Sequence, residues 1–517
     1  MRICLEFLPE QGNIQRTRLQ YAFSLFCAIY GHQNVAIDEA NSADVRITYS
    51  SEIRNPNTKP ALRLSNLYQP RSIHEPAPPP KKFDRDFEST VLLYSPIPGS
   101  EPDWLGEIFE WVSCADEYSI QTRDPMGRVD FRDSYAGRHH LDVGIPYAAV
   151  AMRFLHEALC KCIVGYPLDP EFGIAGGTHF VINTHDVDIL PVGYFRSLQR
   201  LGKYALISLL VFKSAKNAAV QAGKALAMAL GGSNPLDQTS KLVRTELQNG
   251  VGASYFFIAR HAHRRDANYR INDKEVTELM QSIELQGMEI ALHGSYTSLD
   301  HPGGVASEFR LLREQKFQPR GNRQHWLRFT LDRLIPAIEQ AGAQYDTSLG
   351  WDCMGFRAGA CFAFPPYNFA CERAATFLEI PLAIMEQGLV TGGRPEKYWF
   401  DDVARILFNS RRYGWGGISL LWHPTAFGAG QLPREIERIF WKLIEHKQVW
   451  NDTWTSGVDF VRAISERYIK AGLLPPGYGS EVLPKPMHSP RTKTAIHEMA
   501  DQCSPLGRSL DIWRREA

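Results

Sequence analysis

Between residues 179 and 423, short apolar runs take turns with amphipathic stretches of helical period. HFVINT (179–184), ASYFFIA (253–259), MEIALHG (288–294), FLEIPLAIM (377–385) and GISLLWH (417–423) have the length and the β-branched or aromatic content of buried strands. Between them, KEVTELMQSIELQG (274–287) and RFTLDRLIPAIEQAG (328–342) place apolar residues three and four apart, and each ends at a glycine suited to a helix C-cap. Pro336 inside the second predicts a kink or a late start. Strand and helix in alternation imply parallel strands joined by crossover helices, as an open sheet or a barrel. In both, working side chains gather at the carboxyl ends of the strands.

The flanks read differently. Residues 1–165 predict a smaller mixed α/β module, with a helix over 16–31, strand-like runs within 34–50 and an amphipathic helix over 104–119. The proline-rich stretch 69–86 reads as a loop or linker. Gly- and Pro-rich residues 164–180 open a second domain, 166–475, and 476–517 form a C-terminal tail. Residues 195–250, rich in Ala, Leu and Lys, read as a helical insertion covering one end of that domain.

Composition narrows the functional classes. Hydrophobic residues make up 44% and charged residues 22% of the 517, so most of the chain is expected to fold. Lys and Arg (57) balance Asp and Glu (57), and no basic stripe interleaved with aromatics is present, which argues against nucleic acid as a partner. The most apolar stretch, YALISLLVF (204–212), is far shorter than the ~20 residues that cross a bilayer, and the N-terminus does not read as a secretory signal, so a cytoplasmic location is expected. Nine cysteines without a C-x-x-C spacing fit free thiols better than disulfides or a zinc knuckle. The sequence assigns no oligomeric state.

Chemistry concentrates where the strands end. VINTHDVDIL (181–190) places Asp186 and Asp188 on one side of an extended segment, with His185 on the other. Two carboxylates so close repel when ionised and need an arginine, a raised pKa or a metal ion. His293 closes the third expected strand and His423 the last. GNRQHWLRF (321–329) adds His325 beside Arg323 and Trp326, and GFRAGACFAFPPYNF (355–369) adds Arg357. A D-x-D turned to solvent, a core histidine, a surface ion pair or a capped strand end are the plain alternatives for these positions. Taken together they suit mixed N/O ligation of Zn, Co, Ni or Fe(II).

The motifs THDVD, LHGSY, RQHWLRF, YDTSLGW, GFRAGAC, EIPLAIM and LLWHP, in this order over about 180–430, resemble the polysaccharide deacetylases of carbohydrate esterase family four. The likeness is stronger to a divergent bacterial subgroup with an extra N-terminal domain, which EWVSCADEYSIQTRDPMGRVDF (110–131) is similar to. The resemblance implies a distorted (β/α) barrel preceded by the smaller α/β domain. It also implies a metal-dependent hydrolase that removes an N-acetyl or related acyl group from a sugar of a bacterial surface polysaccharide or its precursor. Asp186 then matches the base, Arg357 the arginine that orients it and His423 the general acid. Asp188 and His293 match metal ligands, with zinc the first expectation.

The family has its two acids adjacent, whereas Val187 separates them here, so the roles of Asp186 and Asp188 can be exchanged. The family's second histidine is Thr297 in this chain, and His325 is the candidate to replace it. Trp326, Trp351, Tyr296 and Phe427 are candidate sugar platforms. A barrel that has lost catalysis and serves as a carbohydrate-binding scaffold, or a glycoside hydrolase on a related barrel, are the competing readings.

Overall fold

The computed structural model describes residues 1–7, 12–50, 61–85, 88–94, 100–163, 179–191, 193–210, 213–232, 234–414, 416–428 and 432–479. Nine strands of its central sheet, all parallel, are β1 (His179–Val187), β2 (Ser254–Ile258), β3 (Glu289–Gly294), β4 (Gly321–Gln324), β5 (Tyr345–Asp346), β6 (Leu378–Glu379), β7 (Leu382–Met385), β8 (Gly416–Leu421) and β9 (Asp452–Thr455). Their order is β6-β5-β4-β3-β2-β1-β8-β7. β9 lies beside the first half of β1, and β2 beside its second half.

The two ends of this sheet meet in one bent segment, and that makes it a distorted (β/α) barrel. The amide of Ile380 donates to the carbonyl of Asp346 (2.8 Å) and that of Leu382 to Leu349 (3.0 Å), while the Pro381 carbonyl accepts from Ser419 on β8 (2.8 Å). The run 377–385, expected as a single strand, is therefore two. Pro381 lacks an N–H, and at that point the chain leaves β5 and joins β8.

β4 and β5 were not expected at all, because GNRQ and YD contain no apolar run. Their residues are nevertheless buried, and their polar side chains pair with one another, as in Asn322 Nδ2 to Asp346 Oδ1 (2.6 Å). The expected helices are present over Lys274–Leu285 and Leu331–Ala341. Gly342 caps the second with φ 67°, and Pro336 lies inside it.

A buried polar plug closes the amino-terminal end of the barrel. Glu289 Oε2 accepts from Ser254 Oγ (2.6 Å), Tyr345 Oη (2.9 Å) and the amide of Val458 (3.0 Å). A Cβ on Gly321 would stand 2.0 Å from the Tyr345 ring, so glycine is what admits this tyrosine to the floor. Burial pushes the Glu289 carboxyl up to about 7, which fits its second oxygen having no partner among the described residues.

In the N-terminal module, Gln33–Val35, Arg2–Phe7, Val45–Ser50 and Ala61–Ser65 form a parallel sheet in that order. The helix Asn13–Tyr30 lies between the first two strands in sequence and ends at Gly31 (φ 64°). Part of the stretch expected as a loop, Lys81–Arg85, is instead a strand paired with Glu88–Leu92. The helix Trp104–Val112 is capped by Asp103, whose carboxylate accepts from the Gly106 amide (2.9 Å).

Module and barrel lie in one compact unit, residues 1–481. Tyr21 donates to the Pro365 carbonyl (2.7 Å), Arg18 pairs with Glu372 (2.6 Å), and Phe109 meets Tyr367 edge to face. The expected boundary at 165/166 and nearly all of the tail 476–517 lie outside the described residues. The insertion is helical, as α1 (Tyr194–Leu210), α2 (Ala215–Ala229) and α3 (Thr239–Gln248). Among the described residues no helix is long and apolar enough to cross a membrane.

Glu289 predicts a pH signature. Its folded pKa of about 7 exceeds the ordinary 4.5, so between these values the unfolded chain releases a proton that the folded chain keeps. Stability from this group should fall as pH rises across that window, by about 3 kcal/mol in all. Urea unfolding at pH 5 and pH 8 checks it: Glu289→Gln should flatten the difference.

Candidate metal centre and its surroundings

β1 is buried along its whole length and delivers Asp186 inside the barrel, with Asp188 just beyond its end. His185 faces the opposite way and is structural. Its Nε2 meets Glu246 Oε1 (2.8 Å) and its Nδ1 the Trp422 carbonyl (2.6 Å), while Tyr255 donates to the same glutamate (2.7 Å). This network ties α3 to the barrel wall.

His293 near the end of β3, His325 just after β4 and His423 after β8 converge on the two aspartates. His293 Nε2 lies 3.4 Å from both Asp186 Oδ2 and Asp188 Oδ1. His325 Nε2 lies 3.6 Å from Asp188 Oδ1, and His423 Nε2 lies 3.6 Å from Asp188 Oδ2. One ligand atom each from Asp188, His293 and His325 fall within 4.8 Å of one another. The chain turns sharply here, with Trp326 (φ 63°) and Leu327 (φ 49°) both left-handed. Such geometry in non-glycine residues is costly and concentrates at functional sites.

The donor set fits a divalent cation on three counts. His293 Nδ1 is 2.9 Å from the Arg323 carbonyl, which can only accept. Nδ1 therefore carries the proton and Nε2 presents its lone pair to the centre. Asp188 Oδ1 is buried with no hydrogen-bond partner. His325 Nδ1 is also buried and unpartnered, and it faces Asp266 Oδ1 at 3.8 Å, a carboxylate positioned behind a ligating imidazole. Asp266 is itself fixed by the amides of Ala262, His263 and Tyr296 at 2.7–2.9 Å.

Charge is balanced group by group. Burial works to raise the Asp188 carboxyl, but the neighbouring His325 and His293 outweigh it and hold it well below the usual range. Asp186 is lowered despite its burial, first by Arg323 and then by His293 and His423. His325, which burial would lower, is pushed up to about 9 by Asp188 and Asp266. His423 is pushed up to about 10, against its burial, chiefly by Glu386. Glu386 Oε1 accepts from His423 Nδ1 at 2.6 Å, leaving Nε2 directed at Asp188.

One expected role is corrected. Arg357 does not reach Asp186: its Nε is 2.9 Å from Glu117 Oε1, its Nη1 donates to the Gly350 carbonyl (2.8 Å), and its guanidinium lies 4.0 Å from the Trp351 ring centre. The segment around Arg357 bends at Ala358 (φ 61°) and packs on the N-terminal module instead of turning inward. Arg323 stands beside Asp186, with Nη1 2.8 Å from Oδ1 and 2.9 Å from Thr184 Oγ1. The i, i+2 rule places Arg323 and His325 on one face of an extended segment, which is the sequence signal in GNRQH for this pairing. Glu386 was missed too, because nothing in LAIMEQG marks an acid as a histidine's partner.

An open cleft of about 250 Å³ lies over this centre, lined in part by Trp326, Met385 and Leu421, with Met126 and Arg128 contributed by the N-terminal module. Of the proposed sugar platforms, Trp326 is 45% exposed, whereas Trp351 and Phe427 are buried in cores and drop out.

No protein-family model matches the sequence, and no curated protein matches it significantly. Solved structures with a similar chain path include a candidate polysaccharide deacetylase from Mycobacterium smegmatis (16% identity, 58% of this chain and 94% of that one, TM-score 0.35). A family 4 carbohydrate esterase from Streptomyces lividans covers 54% and 91% at 13% identity, TM-score 0.26. A 4-alpha-glucanotransferase from Thermococcus litoralis covers 55% and 38% at 11% identity, TM-score 0.31. These scores fall below the level at which a likeness decides function.

The two arginines predict separable effects. Arg323→Met strands a buried carboxylate and should lower stability by about 3–5 kcal/mol while raising the Asp186 pKa. Arg357→Met should leave that pKa unmoved, as carboxyl-carbon NMR titration of Asp186 would show.

Proposed function

We propose that this chain is a metal-dependent carbohydrate deacetylase, a hydrolase that releases an N-acetyl or related acyl group from a sugar of a bacterial surface polysaccharide or its precursor. The convergence of Asp188, His293 and His325 on one point, beside an arginine-held aspartate and a glutamate-held histidine, carries this reading. Asp188, His293 and His325 would hold the divalent cation, with zinc the first choice for such mixed N/O ligands. When bound, the cation supplies Lewis acidity at the amide carbonyl and lowers the pKa of water.

The protein's own groups supply the rest. Asp186, kept ionised and aimed by Arg323, accepts the proton of the attacking water. His423, kept protonated by Glu386, gives its proton to the departing amine. His325, just after β4, would supply the third ligand where Thr297 offers none. Trp326, exposed at the rim, offers a ring face to a sugar. The pairing of Asp186 with Arg323, while Asp188 Oδ1 stays free of hydrogen bonds, favours Asp186 as base and Asp188 as ligand.

Acetate release from N-acetylated oligosaccharides tests the reading. Asp186→Asn and His423→Ala should each lower the rate by about 10²–10⁴-fold while circular dichroism shows the fold retained. His325→Ala should lose the cation by elemental analysis, and Thr297→Ala should retain it. Normal acetate release after complete cation removal contradicts the proposal. Glu386→Gln should lower the His423 pKa, so that the alkaline fall in rate moves to lower pH.

A further inference from the structure

The helical insertion has a surface that the proposed chemistry does not use. Between Asp188 and Asp237 the chain contains no acidic residue and six basic ones, Arg196, Arg200, Lys203, Lys213, Lys216 and Lys224, although its overall net charge is zero. α1 buries Leu201, Tyr204 and Ser208 on one face. The opposite face exposes Phe195 (78%), Leu206 (55%), Leu209 (49%) and Leu210 (66%). α2 repeats the arrangement, burying Gln221 and Met228 and exposing Leu226 (62%), with Leu230 (80%) just past its end. Seven of the thirteen exposed large apolar side chains among the described residues belong to this hairpin and its ends.

Helices with an outward apolar face flanked by lysine and arginine, too short and too charged to span, match the physics of elements that lie in a membrane interface. A second copy of the chain is the competing occupant. A two-fold dimer through this face would bring two sets of six positive charges together with no acid from either hairpin to offset them. An anionic lipid surface satisfies both features at once, because acyl chains take the leucines and phosphates take the cations.

We infer that the α1–α2 hairpin is a docking surface for an anionic phospholipid bilayer. The hairpin rises from the rim that carries the metal centre. Tyr194 follows six residues after Asp188, Asn268 grips the link through both the amide and the carbonyl of Leu190 (2.9 and 2.8 Å), and Lys224 donates to the carbonyl of Gly428, close after His423. The inference rests on surface chemistry and holds whatever reaction the cleft performs.

Co-sedimentation of the full-length protein with vesicles tests it, using phosphatidylethanolamine with phosphatidylglycerol against phosphatidylcholine alone. Binding to the anionic vesicles, weakened by high salt, is expected. Lys203→Gln/Lys213→Gln/Lys216→Gln should weaken it by about fivefold per charge, and Phe195→Ser/Leu206→Ser/Leu209→Ser/Leu210→Ser by more than tenfold. The charge variant alters only exposed side chains and stays informative if the apolar variant misfolds. No sedimentation with anionic vesicles, or equal binding by wild type and the charge variant, overturns the inference. So does a stable dimer that the apolar variant dissolves while vesicle binding persists.

Discussion

Two carboxylates separated by one valine, at the end of a fully buried strand, set the constraint that the rest of the site answers. Left alone, Asp186 and Asp188 would repel each other in a medium too dry to screen them. The barrel meets this unequally. Asp186 receives a guanidinium at 2.8 Å, which neutralises it in place. Asp188 receives only imidazole edges at 3.4–3.6 Å and keeps one oxygen free of hydrogen bonds. That asymmetry separates a positioned base from a ligand, and it follows from which strand each partner arrives on.

The same need explains the least sheet-like strands of the barrel. GNRQ forms a strand although it is wholly polar, because Arg323 pairs inward with Asp186 while Asn322 and Gln324, on the opposite face, pair with Asp346 and Ser298. Burial of polar groups is tolerable when each is matched, and here the matching is the site itself. The opposite end of the barrel is sealed by a second matched cluster around Glu289 and Tyr345. The barrel therefore has a polar floor and a polar rim.

Much of this was legible in the sequence. The apolar runs gave five strand positions, and the rule that chemistry gathers at strand ends picked out Asp186, Asp188, His293 and His423, which the structure brings together. The reading failed where side-chain pairing, not hydrophobicity, forms the element. β4 and β5 carry no apolar pattern, so Arg323 is not marked as strand-borne, whereas Arg357, set among small residues, carries the motif that suggests the role. Glu386 acts through a contact 37 residues away in sequence, which no local pattern encodes. The division of 377–385 turns on the missing N–H of Pro381, a residue visible in the sequence whose effect depends on which two strands flank it.

The central claim is that one divalent cation binds between β1, β3 and β4. Anomalous scattering from crystals of the zinc-loaded protein, recorded on both sides of the zinc edge, tests it most directly. A single peak is expected about 2.0–2.2 Å from a carboxylate oxygen of Asp188 and from Nε2 of both His293 and His325. A zinc-loaded crystal with no peak there, or with the ion held by other residues, would contradict it.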